Sequence, residues 1–308
     1  MAFVRERQIV YCERVGEQKK DIELNVMTEG RMRYYGSRRQ RIRRFETAPK
    51  QATLNDKRAW IYFERLIEMN FGKTDYHLSL TYDDLHLPES PEAAKADYDR
   101  FVSRAKKLYK RNGIKFEAVM VMSYSSGKDG RPVRLHMHVI LRGGVSRGEI
   151  EQLWRAPDRA GRCRPGDEAS RYGEPLGYAN CDRLQPDANG LAALCEYLKR
   201  QPRDGIARRY YATVGLRKPI VCGIRDGRYD LPELHRIARH NADYPDVLWW
   251  ERRYPGWTLR GDPGYAYICR ESDFSGLSIR VKLRRLTEKE LRERKRERNT
   301  HKKAKDAR

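Results

Sequence analysis

Hydrophobic positions change period several times along the chain, and each change predicts an element. From Asn55, Trp60, Phe63, Ile67 and Met69 or Phe71 recur at helical spacing, and the run ends near Gly72, which predicts a helix. The stretch 76–82 alternates strictly: Tyr76, Leu78, Leu80 and Tyr82 share one side, and His77, Ser79 and Thr81 share the other, the pattern of a strand. Asp83, Asp84 and Pro88 terminate it. Ser90 and Pro91 then supply a cap and a first-turn proline. The helix they open buries Ala94, Tyr98, Phe101, Val102, Ala105, Leu108 and Tyr109, and Gly113 closes it. A strand over 116–124, turn residues from Gly127 to Pro132 and an apolar strand over 134–141 predict a hairpin.

Gly143-Gly144 breaks that strand, and Ser146 with Glu149 forms a capping box leading into Ile150, Leu153 and Trp154. The order strand, helix, strand, strand, helix predicts an α+β fold: the opening of a split β-α-β arrangement, an antiparallel sheet with helices packed on one face. Residues 156–175 look like a loop. Asp187 or Asn189 then caps a helix over about 190–200, with Leu191, Leu194, Cys195 and Leu198 inward. Beyond Pro202 come R-R-Y-Y, the segment 214–222, a polar stretch, a Trp- and Tyr-rich region over 249–267 and a last strand over 278–286. The mixed-charge tail from Thr287 reads as a solvated helix or as disorder.

The first 52 residues are polar and end in S-R-R-Q-R-I-R-R-F, with Arg38, Arg39, Arg41, Arg43 and Arg44. They read as an arm rather than a core element, either phosphate-binding or simply solvated. The expected organisation is a basic arm over 1–54, a principal domain over 55–222, an extension over 223–286 that completes or flanks it, and a charged tail over 287–308.

Composition narrows the partners. With 308 residues and 39% apolar content the chain can bury a core. Its 65 Lys and Arg against 43 Asp and Glu give a net charge of +22, and the pI is near 9.8. A polyanion partner is expected. Nucleic acid is favoured over a membrane because no run approaches the roughly 20 apolar residues that span a bilayer. The opening M-A-F-V-R-E-R-Q puts charges where a signal peptide needs an apolar segment, so a cytoplasmic location is expected. The six cysteines are scattered without a C-x-x-C pair and read as reduced, mostly buried residues.

The candidate chemistry starts from R-L-H-M-H-V-I-L, where strand alternation sends His136 and His138 out of one face. Taken alone, the pair reads as two satisfied histidines. On the helix over 190–200, Tyr197 lies at the margin of the buried stripe, with Arg200 on its side and Lys199 roughly opposite.

An alternating strand ending L-T-Y, then His-hydrophobic-His, then a helix bearing a Tyr followed by basic residues, in a strongly basic chain, resembles the HUH endonucleases. The likeness is greatest to the single-tyrosine rolling-circle replication initiators of plasmids, phages and mobile elements. It runs over about 55–219 and includes N-D-K-R-A-W-I-Y-F, H-L-S-L-T-Y, K-D-G-R-P-V-R-L-H-M-H-V-I-L-R-G-G, C-D-R-L-Q-P-D-A-N-G-L, E-Y-L-K-R-Q-P and G-L-R-K-P. The resemblance implies an RRM-like palm, a divalent metal (Mn²⁺ or Mg²⁺) on His136 and His138, and a nucleophilic Tyr197 assisted by Arg200 and Lys199. The implied activity is nicking and rejoining single-stranded DNA at an origin hairpin through a 5′-phosphotyrosine linkage. A host helicase is an optional partner, and no small-molecule cofactor is implied. Two imidazoles with an oxygen donor suit Mn²⁺ better than Mg²⁺. Arg134, Arg142, Arg203, Arg208, Arg209, Arg217 and Lys218 flank the motifs and could track phosphates.

Three departures from the family pattern stand out. Where relatives carry a carboxylate before the hairpin, this chain has Ser123. The third metal donor is therefore open among Glu117, Asp83, Asp84 and His77, or water. The usual Lys three residues after the tyrosine is Arg200, which keeps the charge but cannot donate a proton. Relatives with paired tyrosines have one where Ala193 stands here. Two other readings remain beside the initiator: an origin-binding protein whose nuclease site has weakened, and a transposase or relaxase of the same chemistry.

Overall fold

The structure is a computed structural model that describes residues 2–12, 18–28, 49–127, 131–157, 173–206, 208–272 and 276–306. The Arg38 to Arg44 run, Cys163 and the tip of the 127–132 turn lie outside these residues. The chain divides into two compact units, one of residues 1–56 with 218–308 and one of residues 57–217. The fold is α+β, with an antiparallel sheet and packed helices in each unit. Among the described residues no helix is long and apolar enough to cross a membrane.

In the unit of 57–217 the sheet runs β6-β3-β5-β4-β7. Its strands are β3 (Tyr76–Leu80), β4 (Ala118–Ser125), β5 (Val133–Leu141), β6 (Ala179–Arg183) and β7 (Tyr211–Ala212). The β4–β5 hairpin forms as expected, with Val121 opposite His138 and Ser123 opposite His136. The strand over 76–82 is β3, and it lies antiparallel to β5 with Ser79 opposite His138. Gly143 ends β5 because the backbone there approaches Thr74 so closely that a Cβ would sit 1.9 Å from its carbonyl oxygen.

Four helices belong here: α1 (Pro49–Asn70), which enters this unit at Lys57, α2 (Pro91–Arg111), α3 (Arg147–Glu151) and α4 (Ala192–Arg200). Ser90 caps α2 by accepting from the Ala93 amide, and Tyr98, Phe101, Ala105, Leu108 and Tyr109 are buried as the stripe predicts. They pack with Leu78, Met137, Val139, Ile150 and Trp154 on one face of the sheet. The opposite face is also covered: Val119, Val121 and Ile140 meet Trp60, Phe63 and Ile67 of α1 and Leu191, Cys195 and Leu198 of α4. Helices on one face only was the expectation, and it is corrected to both. The reason is that β4 and β5 carry apolar residues on both sides, so neither face can be left to water. Two expected caps also fail: Ser146 makes no side-chain cap bond to α3, and α4 begins after Leu191 without one. Asp187 instead turns the preceding loop through the Asn189 amide, 2.7 Å away.

The other unit overturns the N-terminal arm. Residues of that arm form β1 (Ala2–Cys12) and β2 (Gln18–Thr28), two long paired strands inside a six-stranded sheet ordered β10-β11-β2-β1-β8, with β9 also on β11. Its other strands are β8 (Ile220–Asp226), β9 (Trp257–Leu259), β10 (Tyr267–Arg270) and β11 (Ser278–Arg285). The segment 223–286 therefore builds a sheet with the N-terminal strands, and the boundary falls at 217/218 rather than 222 because β8 pairs with β1. Val4, Ile22, Leu24, Ile279, Val281 and Leu283 make one apolar face under α5 (Leu231–His240) and α6 (Val247–Arg253). The short α7 (Pro263–Ala266) leads into β10, and the charged tail is helical as α8 (Glu288–Asp306). Of the five described cysteines, all free, only Cys181 and Cys195 are buried, while Cys222 and Cys269 are exposed.

Candidate active site

Every residue that converges on the histidine pair belongs to the unit of 57–217. Alternation along β5 sends His136 and His138 toward α4, and their Nε2 atoms lie 3.2 Å apart. Helix α4 is seated by Cys195 and Leu198 in the apolar layer beneath it, which turns Tyr197 toward the pair at the rim. The Tyr197 hydroxyl lies 3.3 Å from His138 Nε2, and the rings meet edge to face at 5.2 Å. Tyr197 is 47% exposed, so its oxygen is held by the imidazole yet open to a substrate. Fifty-nine residues of sequence separate these two side chains, and folding brings them into contact.

His77 joins from β3. Its Nε2 is 3.2 Å from His138 Nδ1, and the two rings stack at 5.3 Å. His138 thus faces His77 with one nitrogen and presents the other to His136 and Tyr197. A histidine held through its second nitrogen has its ring orientation and tautomer set, as metal-bound imidazoles generally do. Burial, and then the neighbouring His136 and His77, pushes the His138 pKa down to about 3, against a hydrogen bond that the ring donates to Gln201, which pulls it up. Burial likewise lowers the His77 pKa, opposed by the nearby Asp182. A ring that stays neutral keeps its lone pair for a cation.

The other candidates for a third donor separate cleanly. Glu117 is tied to Lys115 at 3.0 Å and Arg142 at 3.2 Å. Asp83 accepts from the His86 ring at 2.8 Å, and Asp84 pairs with Arg134 at 2.6 Å. None of these contacts involves the pair. Ser123 does face it, fully buried beside His136, and its hydroxyl donates to Gln201 Oε1 at 3.2 Å. Gln201 is the residue the sequence reading missed. Pro202 forces it out of the helix into extended backbone, φ −60° and ψ 134°. The Tyr124 amide then binds the Pro202 carbonyl at 2.9 Å, and the Asp204 amide binds the Tyr124 carbonyl at 3.0 Å, zipping this segment along the end of β4. The signal was available: Gln201 stands four residues after Tyr197, one helical turn on.

Among the described residues no three His, Cys, Asp or Glu side chains form a metal-binding group. The imidazole pair itself fits one: two nitrogens sharing an ion at about 2.1 Å stand roughly 3.0 to 3.4 Å apart, and these stand 3.2 Å apart. Among the described residues no carboxylate joins the pair, so further donors to an ion there would be uncharged oxygens or substrate.

The expected basic residues are not equivalent. Lys199 and Arg200 both pair with Glu196, at 2.9 and 3.3 Å, which pulls the Glu196 pKa down against the effect of burial. Arg142 is committed to Glu117. Arg217 is bound to the Met69 carbonyl and, through its amide, to Asn70. Arg203 lies over the Trp60 ring at 4.7 Å and Arg208 over Tyr211 at 5.6 Å. Arg209 is half-buried, and Lys218 falls in the other unit. Comparison of the chain with family models, with curated proteins and with solved structures finds no match.

Proposed function

We propose that the unit of 57–217 is a metal-dependent DNA strand transferase that nicks and rejoins single-stranded DNA at an origin, starting rolling-circle replication. The observation that carries this reading is the contact of the Tyr197 hydroxyl with His138, 3.3 Å from Nε2 and within the same pocket as His136. A tyrosyl oxygen held against His138 beside a second imidazole supports phosphodiester cleavage in which a side chain, not water, attacks.

His136 and His138 would hold the divalent ion, with Mn²⁺ the better match to two nitrogen donors. When bound, the ion supplies charge to a non-bridging phosphate oxygen and fixes its position. Tyr197 attacks phosphorus: its O–P bond forms as the bond to the 3′ oxygen breaks, the phenolic proton leaves to solvent, and the 3′ oxygen takes one up. The phosphodiester energy stays in the phosphotyrosine, so another 3′ hydroxyl can reverse the step without ATP. Arg200, on the side of the helix that carries the nucleophile, and Lys199, on the far side, both steadied by Glu196, would anchor flanking phosphates. Arg203 and Arg208 extend the track, and Tyr211 offers a ring for base stacking. Single-stranded DNA is the proposed partner, with a host helicase as a further one.

Protein, Mn²⁺ and origin-strand oligonucleotides should give a shifted band that survives denaturant. Tyr197→Phe and the double variant His136→Ala/His138→Ala should lose it. A second reading, an origin-binding protein with a weakened site, is favoured by the serine at position 123 and predicts origin binding with no such band. A transposase or relaxase would share the band and differ in the DNA it accepts.

A further inference from the structure

We propose that Gln201 is the third protein donor of the His136–His138 pocket: its side-chain amide oxygen takes the place of the absent carboxylate, and Ser123 holds it there. The inference rests on the preceding reading that the pocket binds a divalent ion. It deepens that reading by naming the donor and its consequence.

Five observations converge. Ser123 is directly opposite His136 in the β4–β5 ladder and completely buried. Its hydroxyl donates to Gln201 Oε1 at 3.2 Å, so the oxygen, not the amide nitrogen, is turned to this side. Gln201 also hydrogen-bonds the His138 ring, the imidazole whose Nε2 faces His136 and Tyr197. Its Nε2 donates back to the Tyr197 carbonyl at 3.4 Å, which ties the nucleophile's helix to the same side chain. The backbone is fixed as well, through Pro202 and the two hydrogen bonds that align 202–204 with Tyr124.

The chemistry is coherent. A side-chain amide oxygen is an ordinary ligand for hard and borderline divalent ions. Being neutral, it leaves two imidazoles and an amide around the ion, with no negative charge from protein. Such a site binds its metal more weakly than one with a carboxylate, and leaves more of the ion's charge for the phosphate. Serine at 123 then has a purpose as a short hydroxyl donor that orients the amide, where a longer acidic side chain would occupy the same space.

The test is a titration of the full chain with Mn²⁺, following free Mn²⁺ by its electron paramagnetic resonance signal, with no DNA present. Wild type should bind one ion, Gln201→Ala should weaken binding at least about tenfold, and Gln201→Glu should tighten it about tenfold through the added charge. Thermal melting without metal identifies a variant that fails to fold, and Gln201→Glu, nearly isosteric, decides the matter if Gln201→Ala fails. Should His136→Ala abolish binding while both Gln201 variants bind as wild type, Gln201 is no ligand and the pocket reading stands. Should wild type bind no Mn²⁺ at all, the pocket reading falls together with this one.

Discussion

The two units each bury a polar cluster, and the clusters are built on opposite plans. In the unit of 1–56 and 218–308, Glu6 is fully buried and receives both Arg228 Nη1 contacts at 3.0 Å and the Tyr254 hydroxyl at 3.1 Å. Tyr254 in turn meets Tyr229 at 3.0 Å, and Arg253 bonds both Tyr229 and Glu233 at 3.1 Å. Charges balance and donors meet acceptors, so the network is internally complete. Burial, and then Tyr229 and Glu6, raises the Tyr254 pKa, so the hydroxyl remains a donor. In the unit of 57–217, three imidazoles crowd one another, two of them, His77 and His138, with lowered affinity for protons, beside a half-exposed tyrosine. The charged neighbour of that cluster, Asp182, is itself paired with Arg147 at 3.6 Å. A polar group that serves the fold is satisfied from within, while one that serves chemistry is left wanting a cation or an anion from outside.

The largest test of this contrast is at the nucleophile. Tyr197→Phe should reduce the denaturant-resistant DNA adduct by at least about a thousandfold, yet melt within about 1 kcal/mol of wild type, since only an exposed hydroxyl is lost. Glu6→Ala should do the reverse in the other cluster. Removing one partner of a buried ion pair leaves Arg228 uncompensated, and a loss of about 3 kcal/mol in urea unfolding is expected; a change under 1 kcal/mol would show that the network is not structural. Next comes His77→Ala. Its Nε2 contacts His138 Nδ1, on the far side of that ring from His136, so if the pair holds the proposed ion, Mn²⁺ affinity should fall about tenfold. If affinity is unchanged, His77 is a bystander.

The smallest effect expected is at Glu290. A hydrogen bond from Arg284 pulls its carboxyl pKa from 4.5 down to about 2. A carboxyl depressed on folding adds stability that is fully present above its unfolded pKa and is lost as pH falls through the folded one. The contribution should therefore be present at pH 5 and above and fade between about pH 4.5 and 2. The pair is part-exposed, so Glu290→Gln should cost less than about 1 kcal/mol at neutral pH, measured by thermal melting across that range.

Legibility followed the range of the interactions. Strand β5, helix α2 and the stripe of α4 could be read because alternation and helical spacing are properties of neighbouring residues. Strands β1 and β2 could not: the buried positions of β1 are Val4, Glu6, Ile9 and Tyr11, so a buried glutamate and a change of parity after it disguise the alternation. Only the distant Arg228 and Tyr254 make Glu6 tolerable inside. The same holds for Arg142 and Arg217, whose charge suggested DNA but whose partners, Glu117 and the Met69 carbonyl, are structural.

What the sequence by itself determined is the elements with a clear local period, such as β3, β5 and α2, the basic character of the chain and the histidine pair on one strand face, because each depends on composition or local periodicity. Tertiary structure alone decided that Tyr197 touches His138, that His77 backs it, and that Gln201 fills the place beside Ser123. Those contacts depend on sheet register, on the seating of α4 against Val121 and Ile140, and on Pro202 turning the chain back along β4. Such effects act between residues far apart in sequence, and no local pattern encodes them.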